Sequence, residues 1–117
     1  MSGRRIIDVR GSIGEIGGRS IPLDAQIAVD EIFQNSRIEI ASSQTDSQIT
    51  LMGITTATVL YIECDVDCTY TFNSSSNTEL TLDADNGRRA IFLGQAVTAL
   101  YVTTTDAAVF KILAGGT

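Results

Sequence analysis

The chain has 117 residues, 44% of them hydrophobic and 19% charged, which suits one domain with a true core and excludes wholesale disorder. Its formal charge of −6 repels phosphate backbones, and the pairs Arg4/Arg5 and Arg88/Arg89 stand far apart in sequence, so nucleic acid is not an expected partner. The absence of histidine removes Ser-His-Asp and Cys-His arrangements, the usual zinc sites and the commonest general base.

No apolar run reaches the length of a membrane span. The start, MSGRRIIDVRG, lacks the extended apolar region of a secretory signal, so assembly in the cytoplasm of the producing cell is expected. Low aromatic content (6%) and an abundance of Thr, Ser, Ile, Val and Ala favour thin strands packed in layers over a helical bundle.

Taken in order, residues 1–20 hold five of the ten glycines, with Ile6, Ile7, Val9, Ile13 and Ile16 between them. This pattern predicts one or two short strands with bends, either a flexible leader or, as the regular isoleucines favour, an arm that orders against a neighbouring subunit. Residues 19–33 are ambiguous. Asp24 suits a helix cap with Ala28, Ile32 and Phe33 on the apolar face, whereas Ile21, Leu23, Ile27 and Val29 alternate as in a strand. Strand is the reading adopted, with Pro22 at a start or edge.

After Gln34-Asn35-Ser36 the pattern is clearer, with strands expected over 37–41 and 48–52 and a polar loop over 42–47. Ala57–Phe72, ATVLYIECDVDCTYTF, reads as a hairpin turning through Asp65-Val66-Asp67. On its first arm Leu60, Ile62 and Cys64 oppose Val59, Tyr61 and Glu63; on its second Cys68, Tyr70 and Phe72 oppose Thr69 and Thr71. A turn over 73–77, a strand over 79–82 and a tight hairpin turn at Asn86-Gly87 follow. Strands over 88–93, 97–103 and 108–113 complete the series, and Gly115-Gly116-Thr117 frays or makes a short contact. Short strands about ten residues apart suit an antiparallel sandwich or barrel, and the reading adopted is one all-β domain over 1–117, an antiparallel β-sandwich or jelly-roll-like fold of eight to ten strands.

Chemistry-bearing constellations are few. Cys64 and Cys68 would face one another across the turn, either as reduced buried thiols or as a disulfide. Glu63, Asp65 and Asp67, and then Asp83, Asp85 and Asn86, are carboxylate-rich turns without the glycine and terminal glutamate of a calcium loop. No phosphate-binding glycine loop is present. The expectation is a protein that is not an enzyme, without catalytic residues, metal or cofactor.

Two segments, GITTATVLYIECDVDCTYTFN (53–73) and VTALYVTTTDAAVFKILAG (97–115), resemble small structural proteins of tailed bacteriophages. The likeness covers about the C-terminal half, and Cys64 and Cys68 stand where it leads one to expect Thr or Val. It implies a virion component: foremost a decoration (cement) protein on the capsid surface, a trimer bound across major capsid protein subunits. A tail or head–tail connector subunit is the alternative, and a small carbohydrate-binding module a more distant one. On the decoration reading, Arg4, Arg5, Ile6, Ile7, Val9, Ile13 and Ile16 are the expected partner contacts, through addition of a strand to a neighbour's sheet edge.

Overall fold

The computed structural model describes residues 5–13 and 21–117. Among them the regular elements are ten strands and one 3₁₀ turn: β1 (Arg5–Ile13), β2 (Ile21–Val29), β3 (Glu31–Ile40), β4 (Gln44–Ile49), β5 (Ala57–Cys64), β6 (Cys68–Phe72), β7 (Leu80–Leu82), β8 (Arg89–Val97), β9 (Leu100–Thr104) and β10 (Ala108–Gly116). Strands β3 to β10 form two four-stranded sheets, ordered β3-β10-β5-β8 and β4-β9-β6-β7, and every pairing is antiparallel. Within this set only β6 and β7 are both consecutive and paired; every other connection changes sheet. That is the strand order of a jelly roll. The expected antiparallel sandwich of eight to ten strands is what the chain forms.

Period-two alternation explains the core. Leu60 and Ile62 of β5, with Phe110, Ile112 and Ala114 of β10, face Tyr70 and Phe72 of β6 and Leu100 and Val102 of β9; all are buried. Phe92 stands edge-on to Phe72, with ring centroids 4.8 Å apart at 89°. Val59, on the opposite face of β5, is buried on the outside of its sheet in a second, smaller cluster with Ile7 and Val29.

That outer cluster is made by β1 and β2, which pair only with each other, in register from Arg5↔Val29 to Ile13↔Ile21. The two-stranded ribbon rests its base on the β3-β10-β5-β8 sheet. The radius of gyration, 15.1 Å, exceeds the roughly 13 Å of a compact chain this long. Strand rather than helix is correct for the Pro22 region, and residues 21–33 supply β2 and the start of β3, parted at Asp30.

Several expectations are corrected. Ala57–Phe72 is not a hairpin: β5 and β6 lie in opposite sheets, so Asp65-Val66-Asp67 is an arch between them. Both strands carry their heaviest apolar side chains on one face, and setting those faces against each other buries both sets at once. Asn86-Gly87 likewise closes no hairpin. Asp83 caps the 3₁₀ turn Ala84–Asn86, Gly87 ends it at φ 71°, and β7 and β8 belong to different sheets.

Gln34-Asn35-Ser36 does not break a strand but lies inside β3, where the ladder to β10 shifts register in a bulge. The strand expected over 48–52 is displaced to Gln44–Ile49, and a turn follows in which the Ile54 N–H donates to the Leu51 carbonyl at 3.0 Å. Val97 closes β8, and β9 begins only at Leu100. Gly115 and Gly116 do not fray; both are buried in β10, and the Thr117 N–H donates to the Thr56 carbonyl at 3.0 Å.

Candidate functional site

The residues expected to contact a partner fall on the ribbon. Arg4 and Ile16 lie outside the described residues. Arg5, Val9 and Ile13 take register positions opposite Val29, Ala25 and Ile21. Ile6 and Ile7 point to opposite faces: Ile6 is 63% exposed, while Ile7 is 6% exposed and packs with Val29 and Val59, beside the partly buried Ile27, Ile32 and Leu113. Ile7 is therefore taken up by the chain's own sheet.

Gly115 makes that seat. A Cβ there would collide with Ile7 Cδ1 and stand 3.0 Å from Val29 Cγ1, so the ribbon sits where a side chain is missing. The register pairs Val9 with Ala25, Gly11 with Leu23 and Ile13 with Ile21, so the two-stranded ladder continues past its seat.

A complementary feature escaped the sequence reading. Leu93 and Ile91, on the edge strand β8, lie in register with Val59 and Tyr61 on this same outer face and are 46% and 45% exposed. The signal was legible: Ala90-Ile91-Phe92-Leu93 is an unbroken apolar run, so both faces of β8 are apolar, and only one can enter the core. Below them Tyr61 donates its hydroxyl to Glu63 Oε1 at 2.6 Å. Burial first, then that hydrogen bond and the carboxylate charge, raise the Tyr61 phenol above its ordinary value. Tyr70, which a sugar-binding reading would need at the surface, is 3% exposed in the core; burial pushes its phenol up to about 12.

At the arch each acidic side chain has a structural task. Asp65 Oδ1 accepts from the Val109 N–H at 2.8 Å, tying the arch to β10. Asp67 pairs with Arg88 Nε at 2.9 Å, and Asp83 Oδ1 accepts from the Asp85 and Asn86 N–H groups. Arg89 lies 3.7 Å from Glu63, so both members of the Arg88/Arg89 pair have carboxylate partners. Cys64 and Cys68 are buried free thiols. The neighbouring Cys68 holds the Cys64 thiol down at about 7 although burial opposes this, and the same pairing, with burial, pushes the Cys68 thiol up.

Among the described residues no three His, Cys, Asp or Glu side chains converge on a point that could hold a metal ion. The surface clefts are open and shallow. One beside the arch is walled by Cys64, Gly87, Arg88 and Arg89; another, on the facing sheet, by Cys68, Thr69, Thr81 and Thr103. Comparison with protein-family models, with curated proteins and with solved structures finds no match for the chain.

Proposed function

We propose that this is a structural virion protein of a tailed bacteriophage, a capsid decoration protein that stabilises the head by binding across major capsid protein subunits. The observation that carries this reading is the ribbon. Its ladder runs on from the seat at Ile7 to Ile13↔Ile21 as a separate two-stranded sheet, and Ile91 and Leu93 stand exposed on the outer face of the sheet that carries the seat. Four residues of strand beyond the seat reach about 13 Å, enough to lie along a neighbour's sheet. Jelly rolls serve viral coats, lectins and cupins alike, so the fold supports the role by analogy only.

The mechanism is stabilisation by repeated contact. A projecting ribbon buries modest apolar and main-chain surface, but many copies on a closed shell act together through high effective concentration. The net charge of −6 favours solubility while free copies accumulate before assembly.

The test uses the full chain and a shortened-ribbon variant in which residues 10–24 are replaced by Asn-Gly, leaving Ile7, Ile27 and Val29 on their seat. Both are mixed with heads of the encoding phage that have been stripped of the protein. The full chain is expected to co-sediment and to appear by cryo-electron microscopy at capsomer boundaries, while the variant folds and stays in the supernatant. Equal occupancy by the variant removes the ribbon from the mechanism. Density confined to the tail or the portal vertex overturns the decoration role.

A further inference from the structure

We propose that Cys64 and Cys68 form a reversible intramolecular disulfide that staples the two sheets at the arch, with Cys64 as the attacking thiol and Cys68 as the resolving one. This does not depend on the virion role. Cys64 ends β5 in one sheet and Cys68 begins β6 in the other, and both side chains enter the same core, 4% and 6% exposed. A bond between them would close a five-residue loop across the layer gap rather than along a ladder.

The frame that holds the two sulfurs is fixed from both sides. On one, the Asp65 N–H donates to the Val109 carbonyl at 3.3 Å, and Asp65 Oδ1 accepts from the Val109 N–H at 2.8 Å. On the other, the Cys64 N–H donates to the Arg88 carbonyl at 3.0 Å, while the Arg88 guanidinium holds Asp67 at 2.9 Å. Cys68 is pinned between Leu82 of β7 and Thr104 of β9. These ties hold both ends of the three-residue arch that brings the two cysteines into one core cluster, the preorganisation a reversible bridge needs.

The environment also divides the labour. The neighbouring Cys68 thiol, and after it the arch backbone at Val66 and Asp65, lower the Cys64 thiol against its burial. Cys68 has the opposite bias and keeps its proton. Cys64 lines the open cleft beside Arg88 and Arg89, and Cys68 the cleft on the facing sheet, so the Arg88/Arg89 side is the approach for a small disulfide.

With oxidised glutathione as the oxidant, the Cys64 thiolate attacks one glutathione sulfur, the S–S bond breaks and one glutathione thiolate leaves. Cys68 then gives its proton to solvent and attacks the Cys64 sulfur of the mixed disulfide, expelling the second glutathione. Two protein thiols and one glutathione disulfide thus become one protein disulfide and two glutathione thiols. Excess reduced glutathione runs the sequence backwards.

The full chain is equilibrated in graded mixtures of reduced and oxidised glutathione, quenched in acid, alkylated and weighed by mass spectrometry, folded and in urea. The folded chain is expected to lose two hydrogens without a retained adduct, at a mixture on the order of tenfold more reducing than the unfolded chain requires. Cys68→Ser is expected to accumulate a glutathione adduct on Cys64, and Cys64→Ser to stay largely unmodified, with circular dichroism showing that each variant folds. The proposal is overturned if the folded chain bridges no more readily than the unfolded one, or if Cys64→Ser gains the adduct as fast as Cys68→Ser. Should a serine variant fail to fold, the comparison of folded and unfolded wild type decides alone.

Discussion

A side chain at position 115 would take the space that Ile7 and Val29 fill, which makes one missing Cβ the point where ribbon and sandwich are joined. Gly115→Ala is expected to lower unfolding free energy by about 1–3 kcal/mol, the usual range for overpacking a filled site, measured by urea titration. Gly116→Ala is expected to cost more, because there the added atom meets the Thr56 carbonyl and Ala57 Cα, backbone that has no rotamer to change. An unshifted midpoint for Gly115→Ala would show that the ribbon does not rest on this glycine.

The thiol pair gives a second residue-scale prediction. Cys64 is lowered to about 7 by Cys68, whereas a thiol in the unfolded chain titrates near about 8.5. Between those values the unfolded pair holds more protons than the folded pair, so stability rises with pH. Above about 8.5 the unfolded chain has released both thiol protons while the raised Cys68 keeps its own, and stability falls again. Subtracting the profile of a Cys64→Ser/Cys68→Ser variant, under a non-thiol reductant, should leave a hump of about 1–2 kcal/mol centred near pH 8.5. Asp65 and Asp67, the nearest acids, raise the Cys68 thiol and so deepen the fall on the alkaline side. A flat difference would mean that the two thiols titrate independently.

At the scale of elements, the arch sets a main-chain tie beside an ion pair. Asp65 holds a main-chain N–H of β10, so Asp65→Ala is expected to cost about 1–3 kcal/mol through loss of a hydrogen bond to a charged acceptor. Asp67→Ala breaks an ion pair with a largely exposed acid, so less than about 1 kcal/mol is expected, diminishing with added salt. Equal losses in thermal unfolding would remove Asp65 as the tie to β10. The inward and outward residues of β5 and β6 could be read from alternation, because which side is apolar is a local property of the strand. Their partners could not. Asp65-Val66-Asp67 suits a tight turn and an arch equally well, and the choice depends on β9, β10 and β8, which come later in the chain. Asn86-Gly87 misled similarly: the tolerance for positive φ that marks a hairpin also suits the left-handed residue closing a 3₁₀ turn. The ribbon's residues were legible as candidates, but its seat was not, since a glycine contact a hundred residues away leaves no periodic trace.

For the whole molecule, the layout predicts a graded resistance to opening. β5 and β10 are paired on both edges and bury side chains in the inner core, whereas β1 and β2 form a separate two-stranded sheet that packs Ile7 and Val29 against Val59. Opening free energies follow such differences in burial and pairing. Hydrogen exchange followed by mass spectrometry is expected to leave amides of Val59–Glu63 and Phe110–Ala114 as the slowest in the chain. The ribbon amides of Val9–Ile13 and Ile21–Ala25 should exchange at least about tenfold faster than those beside Ile7 and Val29, since the latter lie over a packed seat. Adding stripped heads should slow the outer ribbon and leave the β5 and β10 amides unchanged. Protection that instead appeared on the opposite sheet, over Thr69–Thr71 and Tyr101–Thr103, would move the proposed contact surface to the other side of the sandwich and take the ribbon out of the proposed binding mechanism.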